Sequence, residues 1–363
     1  MELKNYWWLL IWIFLGGAIF SNMPKRRELV AGKMVERWQP LYAILLVLPY
    51  IIWAGYRQGI GDTWNYRSSF SRASSNLADI PGLLLGDGKD PGFGVVQILI
   101  KFLIGNNADL YLLIIAAFQM LSMMYVFRKY SSDYWTSIFL FIGSCGYISW
   151  MMNGVRQFVA VTAVFACFGW LLQRKYIPLL IAILIASTIH QSVLLMIPVV
   201  FVVRGEAWNL KTIMMLAVTM VVVVFIDRFL PVMNDLLQNT QYDNALSDLN
   251  DDGTNVIRVL VNSVPALMSL VGLKYVRGQD DPVINICVNF SIVTMAISLI
   301  SMVTSGIYIG RLPIYTTLYG YIALPWMIDC IFEKRSARMM KYMMIIMYCG
   351  FFYYQMGIAW NFL

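Results

Sequence analysis

Long apolar runs alternate with short polar segments along the whole chain. Most of these runs approach the length of about 20 residues that an α-helix needs to cross a bilayer. The pattern predicts an all-α polytopic membrane protein, a single integral membrane domain over residues 1–363 with about twelve transmembrane helices. The predicted spans are 5–21, 40–57, 109–127, 134–152, 154–173, 176–189, 191–203, 210–228, 258–275, 283–306, 311–331 and 339–358.

One apolar segment, FGVVQILIKFLIG at 93–105, is amphipathic and too short to span. A helix of that length rises only about 20 Å, against a hydrocarbon core of about 30 Å. We therefore expect a short re-entrant or interfacial helix within an outer loop at 58–108. A second long outer loop, at 229–257, is acidic. The first apolar run, at 5–21, has only a weak basic region before it and no small-residue cleavage site. We therefore expect it to stay in the protein as a membrane span rather than to be removed as a signal peptide.

Charge distribution gives the orientation of these spans. The first loop, PKRRELVAGKMVERW, is basic and therefore predicted to be cytoplasmic. If 93–105 does not cross, most of the 27 Lys and Arg residues fall on the same side as this loop. Both termini and the two long loops are then expected outside.

Composition excludes several classes of function. Hydrophobic residues make up 60% of the chain and charged residues 13%, which argues against a soluble domain. The five cysteines lie in or beside apolar spans without metal-ligand spacing, so neither disulfides nor zinc are expected. No nucleotide-binding fingerprint is present, and no nucleic-acid partner is expected.

Unusual polar residues gather on the predicted outer side. They occur in GIGDTWNYRSSF (59–70), DPGFG (90–94), NGVRQ (153–157), HQS (190–192) and GIYIGRLP (306–313). Helix arithmetic from Lys175 places His190 about 22 Å above the inner interface, below the outer surface. We expect His190 at the floor of an outward cavity, with Arg156 slightly higher in its wall.

These side chains suit a phosphate-bearing, glycosidic substrate. Arginine binds phosphate through a planar, permanently charged fork, so Arg156 and Arg311 predict a diphosphate site. His190 can accept a proton from an attacking hydroxyl. The predicted substrate-binding residues are Arg311, Arg57, Asn65, Tyr66, Asp90, Asn153, Gln157, Gln191 and Ser192. Structural alternatives remain, namely interfacial anchoring for the arginines, capping for His190 and an Asx-turn for Asp62.

The order of these motifs resembles the EpsG family, which is grouped with the Wzy-type polymerases of capsule, exopolysaccharide and O-antigen. The segments that carry the resemblance are GIGDTWNY, DPGFG, NGVRQ and HQS, followed by a late outer arginine. Together they cover about residues 50–320.

The resemblance implies joining of oligosaccharide repeat units carried on undecaprenyl diphosphate, outside the bacterial cytoplasmic membrane. It also implies a fold related to GT-C-like glycosyltransferases and O-antigen ligases, with no metal or other cofactor. Arg156 matches the position expected to act on the leaving diphosphate, and Arg311 a position expected to bind it. Asp62 and His190 match motif positions, and either is the candidate base. Membrane lipids, a flippase and a chain-length regulator are candidate partners.

Three rival functions stay open from the sequence. A flippase for the same lipid-linked sugar would need a cavity that opens to both sides, and paired broken helices are not evident. An O-acyltransferase would need a cytoplasmic acyl donor to reach His190. A glycosyltransferase that adds one sugar from a polyprenyl-phosphate donor differs from a polymerase only in product length.

Overall fold

The computed structural model describes residues 6–86, 88–226, 228 and 253–362. The chain is mostly helical, at 77%, which confirms the predicted helical class. Most of the predicted acidic loop, residues 229–252, lies outside the described residues. The contacts divide the chain into two compact units, Met1–Ile197 with Met339–Leu363, and Pro198–Arg338. The prediction of a single integral membrane domain is not tested by this division.

The first unit contains the elements that precede residue 198 and most of the last helix. They are α1 (Trp8–Phe20), β1 (Lys25–Val30), β2 (Lys33–Trp38), α2 (Pro40–Gly55), α3 (Thr63–Arg72), a 3₁₀ turn (Leu77–Asp79), α4 (Ile80–Leu85), α5 (Pro91–Ile104), α6 (Ala108–Tyr130), α7 (Tyr134–Gly143), a π-helix (Tyr147–Asn153), α8 (Val155–Ala166), α9 (Phe168–Leu172), α10 (Tyr176–Ile189) and a 3₁₀ turn (Gln191–Leu195). Helix α11 (Met196–Val202) follows across the boundary.

The second unit is built around one buried helix. Its elements are α12 (Leu210–Val224), α13 (Val256–Val271), α14 (Leu273–Gln279), α15 (Pro282–Met302), a 3₁₀ turn (Ile309–Arg311) and α16 (Ile314–Ile331). Helix α15 packs against α16 through Phe290 and Tyr319, whose rings stack at 3.8 Å. The last helix, α17 (Lys334–Tyr353), continues into a π-helix (Tyr354–Ala359), and its residues from Met339 belong to the first unit.

Among the described residues, three helical segments are long and apolar enough to cross a membrane. They are Ala108–Tyr130 (α6), Val155–Leu172 (α8 together with α9) and Pro282–Met302 (α15). Two further pairs qualify if each bent pair forms one span, with bends of 73° at 144–146 and 74° at Gly272. The other apolar helices are shorter. A helical membrane protein is therefore supported, and the layout of twelve spans stays a prediction.

The basic first loop forms a β-hairpin that the sequence analysis did not predict. Strands β1 and β2 pair antiparallel around a two-residue turn in which Ala31 and Gly32 both have positive φ, the conformation that matches strand twist. In the middle of β1, the Glu28 carboxylate accepts two hydrogen bonds of 3.0 and 3.1 Å from the Arg128 guanidinium of α6. The hairpin is thus fixed to the end of α6.

Helix α5 covers most of the predicted amphipathic segment at 93–105 and turns its polar face inward. Gln97 and Lys101 are buried, whereas Leu99, Phe102 and Leu103 are exposed. In water the opposite orientation is expected, because apolar surface is then the part removed from solvent. An apolar outer face is typical of a helix that contacts membrane.

Candidate active site

A cavity of about 310 Å³ lies between α3, α5 and the start of α8, within the first unit. Five residues predicted from separate motifs line it together: Asp62, Asn65, Tyr66, Asp90 and Arg156. The predicted convergence of three motifs, GIGDTWNY, DPGFG and NGVRQ, therefore occurs in the structure. Lys89, Ser69 and Gln97 also line the cavity and were not predicted.

The start of α3 is held by a buried arginine and a glycine. Arg57 is 3% exposed and donates to Thr63 Oγ1 at 3.0 Å and to the carbonyl of Ala54, so it ties the end of α2 to the first residue of α3. Gly61 has φ +55, and a Cβ there would lie 2.8 Å from Asn153 Oδ1. These contacts place Asp62 beside the NGVRQ motif.

The start of α5 explains the DPGFG motif. Asp90 adopts a left-handed conformation, φ 56 and ψ 54, which Asp tolerates better than most residues. Pro91 opens the helix with its fixed φ. A Cβ at Gly92 would lie 2.0 Å from Thr188 Oγ1 and 2.8 Å from its carbonyl carbon, so only glycine permits this approach of α10.

Arg156 sits in the first turn of α8 and forms an ion pair with Asp90, with 3.1 Å between Nη1 and Oδ2. The Asp90 side chain is only 3% exposed, whereas that of Arg156 is 37% exposed. Asp90 Oδ2 accepts no hydrogen bond among the described residues, so the contact is ionic rather than directed. The exposed part of the Arg156 guanidinium faces the cavity, while Asp90 stays enclosed.

Tyr66 connects α3 to the start of α8. Its hydroxyl accepts a hydrogen bond of 3.4 Å from the Arg156 backbone N–H, and its ring meets Phe93 edge-on at 5.9 Å. Burial raises the pKa of the Tyr66 phenol above its ordinary value, so Tyr66 is neutral at physiological pH. A neutral phenol keeps a proton to donate toward an anion in the cavity.

Three helix N-termini converge on this end of the cavity. Asp62 precedes α3, Asp90 precedes α5, and Arg156 lies in the first turn of α8. Helix N-termini carry a partial positive charge and unpaired N–H groups. With Arg156 and Lys89 beside them, they make this end suited to a phosphate group.

A hydrogen-bonded group that the sequence analysis missed lies further along α3 and α5. The Gln97 amide nitrogen donates to Ser69 Oγ at 3.0 Å and to the Tyr111 hydroxyl at 3.2 Å. Lys101 donates to the carbonyls of Phe70, Ser71 and Ala73 at 2.8–3.1 Å and so caps the end of α3. The sequence contains one signal for this group, because Gln97 and Lys101 are polar residues one helical turn apart in an otherwise apolar helix.

The catalytic candidate His190 does not line this cavity. It separates α10 from the following 3₁₀ turn, as the predicted break at 190 requires, and its Nδ1 lies 2.8 Å from Ser192 Oγ. Its neighbour Ile189 packs against the cluster that contains Tyr66, Phe93 and Val155. His190 therefore follows directly on a segment that supports the cavity wall.

Six other predicted residues also lie outside the lining of this cavity: Arg57, Asn153, Gln157, Gln191, Ser192 and Arg311. Arg57 is buried among backbone and Thr63, which favours a positioning role over substrate binding. Gln157 is buried in α8, and Gln191 opens the 3₁₀ turn after His190. Arg311 ends a 3₁₀ turn in the second unit and is exposed. Its assignment to the diphosphate stays a prediction.

Fold and site define a helical membrane protein with a polar cavity that lies where three helices begin and is lined by Asp62, Lys89, Asp90 and Arg156. The chain belongs to the EpsG family, whose model matches residues 41–359, most of its length. This confirms the resemblance, and the family is one of Wzy-type polysaccharide polymerases. Membership implies, at a general level, a polymerase-type glycosyltransferase of exopolysaccharide biosynthesis. No curated protein matches the chain, and no solved structure matches it.

Proposed function

We propose that this protein polymerises undecaprenyl-diphosphate-linked oligosaccharide repeat units on the outer face of the bacterial cytoplasmic membrane, without a metal ion. The observation that carries the proposal is the position of Arg156. Its guanidinium is partly exposed in a cavity where the N-termini of α3, α5 and α8 meet. Family membership supplies the reaction class, and the basic first loop supports an outward cavity.

In the proposed reaction the donor diphosphate binds the exposed part of the Arg156 guanidinium, while Asp90 stays behind it. The guanidinium and the helix N-termini then stabilise the negative charge that develops on the leaving group. This arrangement accelerates the reaction because the charges are in place before the bond breaks.

The bond changes of this step balance as a single displacement. A hydroxyl oxygen of the acceptor repeat unit bonds to the anomeric carbon of the donor chain, and the bond from that carbon to the phosphate oxygen breaks. Undecaprenyl diphosphate leaves with the electron pair. The hydroxyl proton passes to Asp62, which lines the cavity, or to His190. Inversion at the anomeric carbon follows.

Product length tests the proposal. Purified protein in lipid, given the lipid-linked repeat unit, is expected to produce a ladder of longer chains and to release undecaprenyl diphosphate. Deletion in the source cell is expected to leave single lipid-linked repeat units. Movement of the intact substrate across vesicle membranes without chain growth would instead establish the flippase alternative. Addition of a single sugar would establish the glycosyltransferase that uses a polyprenyl-phosphate donor.

A further inference from the structure

The cavity extends beyond its phosphate end along two parallel helices. Ser69 follows Asp62 by two turns on α3, and Gln97 follows Asp90 by two turns on α5. Each pair is therefore separated by about 10 Å along its helix axis. Since Ser69 and Gln97 hydrogen-bond to each other and line the same cavity, they form its second end.

The chemistry of this second end differs from that of the first. The Ser69 hydroxyl donates to Gln97 Oε1, and the Gln97 amide nitrogen donates to Ser69 Oγ and Tyr111. The pair therefore offers a ligand the remaining acceptor lone pairs of Ser69 Oγ and Gln97 Oε1, without net charge. Lys101 lies one turn further on α5, but its three hydrogen bonds go to the end of α3. The rings of Tyr66 and Phe93 provide an apolar wall. Neutral polar groups beside aromatic rings suit the hydroxyls and the C–H face of a sugar ring.

This end is also rigid. Gln97 is 5% exposed, and its amide nitrogen donates a hydrogen bond to the Tyr111 hydroxyl. The Tyr111 ring in turn stacks on Phe70 at 4.2 Å with an interplanar angle of 6°. A group fixed in this way loses little conformational freedom when a ligand binds.

We propose that Ser69 and Gln97 form a neutral sugar subsite, which binds hydroxyls of the sugar ring attached to the donor diphosphate. The inference rests on the proposed function for the identity of the diphosphate. A cavity of about 310 Å³ is at the small end of ligand sites, so it takes one ring with its phosphates while the rest of the chain lies outside. Neither residue belongs to the motifs that identify the family resemblance.

The experiment compares two ligands bound to purified protein in lipid nanodiscs: bare undecaprenyl diphosphate, and an undecaprenyl-diphosphate-linked repeat unit whose acceptor hydroxyl is replaced by hydrogen, so that no chain growth occurs. We expect the wild type to bind the sugar-bearing lipid at least about tenfold more tightly, a difference of about 1.4 kcal/mol. Ser69→Ala with Gln97→Met should reduce that ratio to near one and leave the affinity for the bare lipid unchanged. Ser69→Ala alone, the smaller change, should give an intermediate ratio.

Thr162→Val is the matched control, because Thr162 is a buried hydroxyl on α8 that bonds only to carbonyls of its own helix in the printed contacts and does not line the cavity. It should retain the wild-type ratio. An unchanged ratio in the double variant overturns the subsite, as does an equal loss of affinity for both lipids. Failure of the wild type to elongate chains refutes the polymerase proposal instead, because the binding ratio is measured without turnover.

Discussion

The guanidinium of Arg156 lies 3.1 Å from the carboxylate of Asp90, and each residue sits at the start of a different helix. Asp90 is almost fully enclosed, whereas more than a third of the Arg156 side chain is exposed. The pair therefore presents one cation to the cavity while its counter-ion stays behind it. In the proposed reaction, substrate binding and charge stabilisation both depend on this arrangement.

Replacing Arg156 should remove the main charge stabilisation of the leaving diphosphate. Loss of one preorganised group of this kind costs about 10²–10³ in kcat, so Arg156→Ala should abolish polymer at normal expression. Arg156→Lys keeps the charge but loses the bidentate fork, and should retain partial activity. Chain ladders from membranes carrying each variant provide the measurement.

The matched control for Arg156 is Arg27→Ala in the hairpin, where the side chain is 78% exposed. It should produce polymer like the wild type. Long polymer at wild-type level from Arg156→Ala would end the proposed mechanism.

Asp90→Asn should strengthen anion binding, because the carboxylate partly offsets the positive charge of Arg156. Asn tolerates the left-handed conformation that position 90 requires, so the start of α5 should be retained. We expect inorganic diphosphate to bind about tenfold more tightly, equivalent to about 1.4 kcal/mol. Calorimetry on the purified variant measures this, and weaker binding would show that Asp90 supports the anion site rather than opposing it.

Asp62→Asn and His190→Ala decide which residue accepts the proton. Asp62 lines the cavity and His190 does not, so Asp62→Asn should lower kcat by about 10²-fold or more, in the range of general-base catalysis. His190→Ala should stay within several-fold of the wild type. Initial rates across a pH series provide the test, and the opposite ranking would assign the base to His190.

Sequence reasoning located the helices because membrane-length apolar runs have few alternative structures. The predicted 40–57 and 283–306 correspond to Pro40–Gly55 and Pro282–Met302. The break after Gly143 was missed, since its cause is local: Cys145 takes a positive φ of 59, which no periodic pattern encodes.

Three charged residues of the candidate site were predictable from the sequence. Asp62, Asp90 and Arg156 stand out because ionisable groups are costly in an apolar chain. Ser69 and Gln97 do not stand out, and which face of α5 is buried depends on tertiary packing. The position of His190 was predicted from helix length, which gives its depth in the membrane but not which neighbouring helices it faces.

Gly92→Ala should destabilise the contact between α5 and α10. The added Cβ would lie 2.0 Å from Thr188 Oγ1 and 2.8 Å from the Thr188 carbonyl carbon, and overpacking of this kind costs about 1–3 kcal/mol. Thermal unfolding in detergent should therefore occur at a lower temperature. Gly82→Ala is the control, because nothing lies within 4 Å of a Cβ at Gly82. Adding Thr188→Ala to Gly92→Ala should restore part of the loss, since it removes the hydroxyl but leaves the backbone contact. Equal melting temperatures for Gly92→Ala and Gly82→Ala would show that α10 moves away without cost.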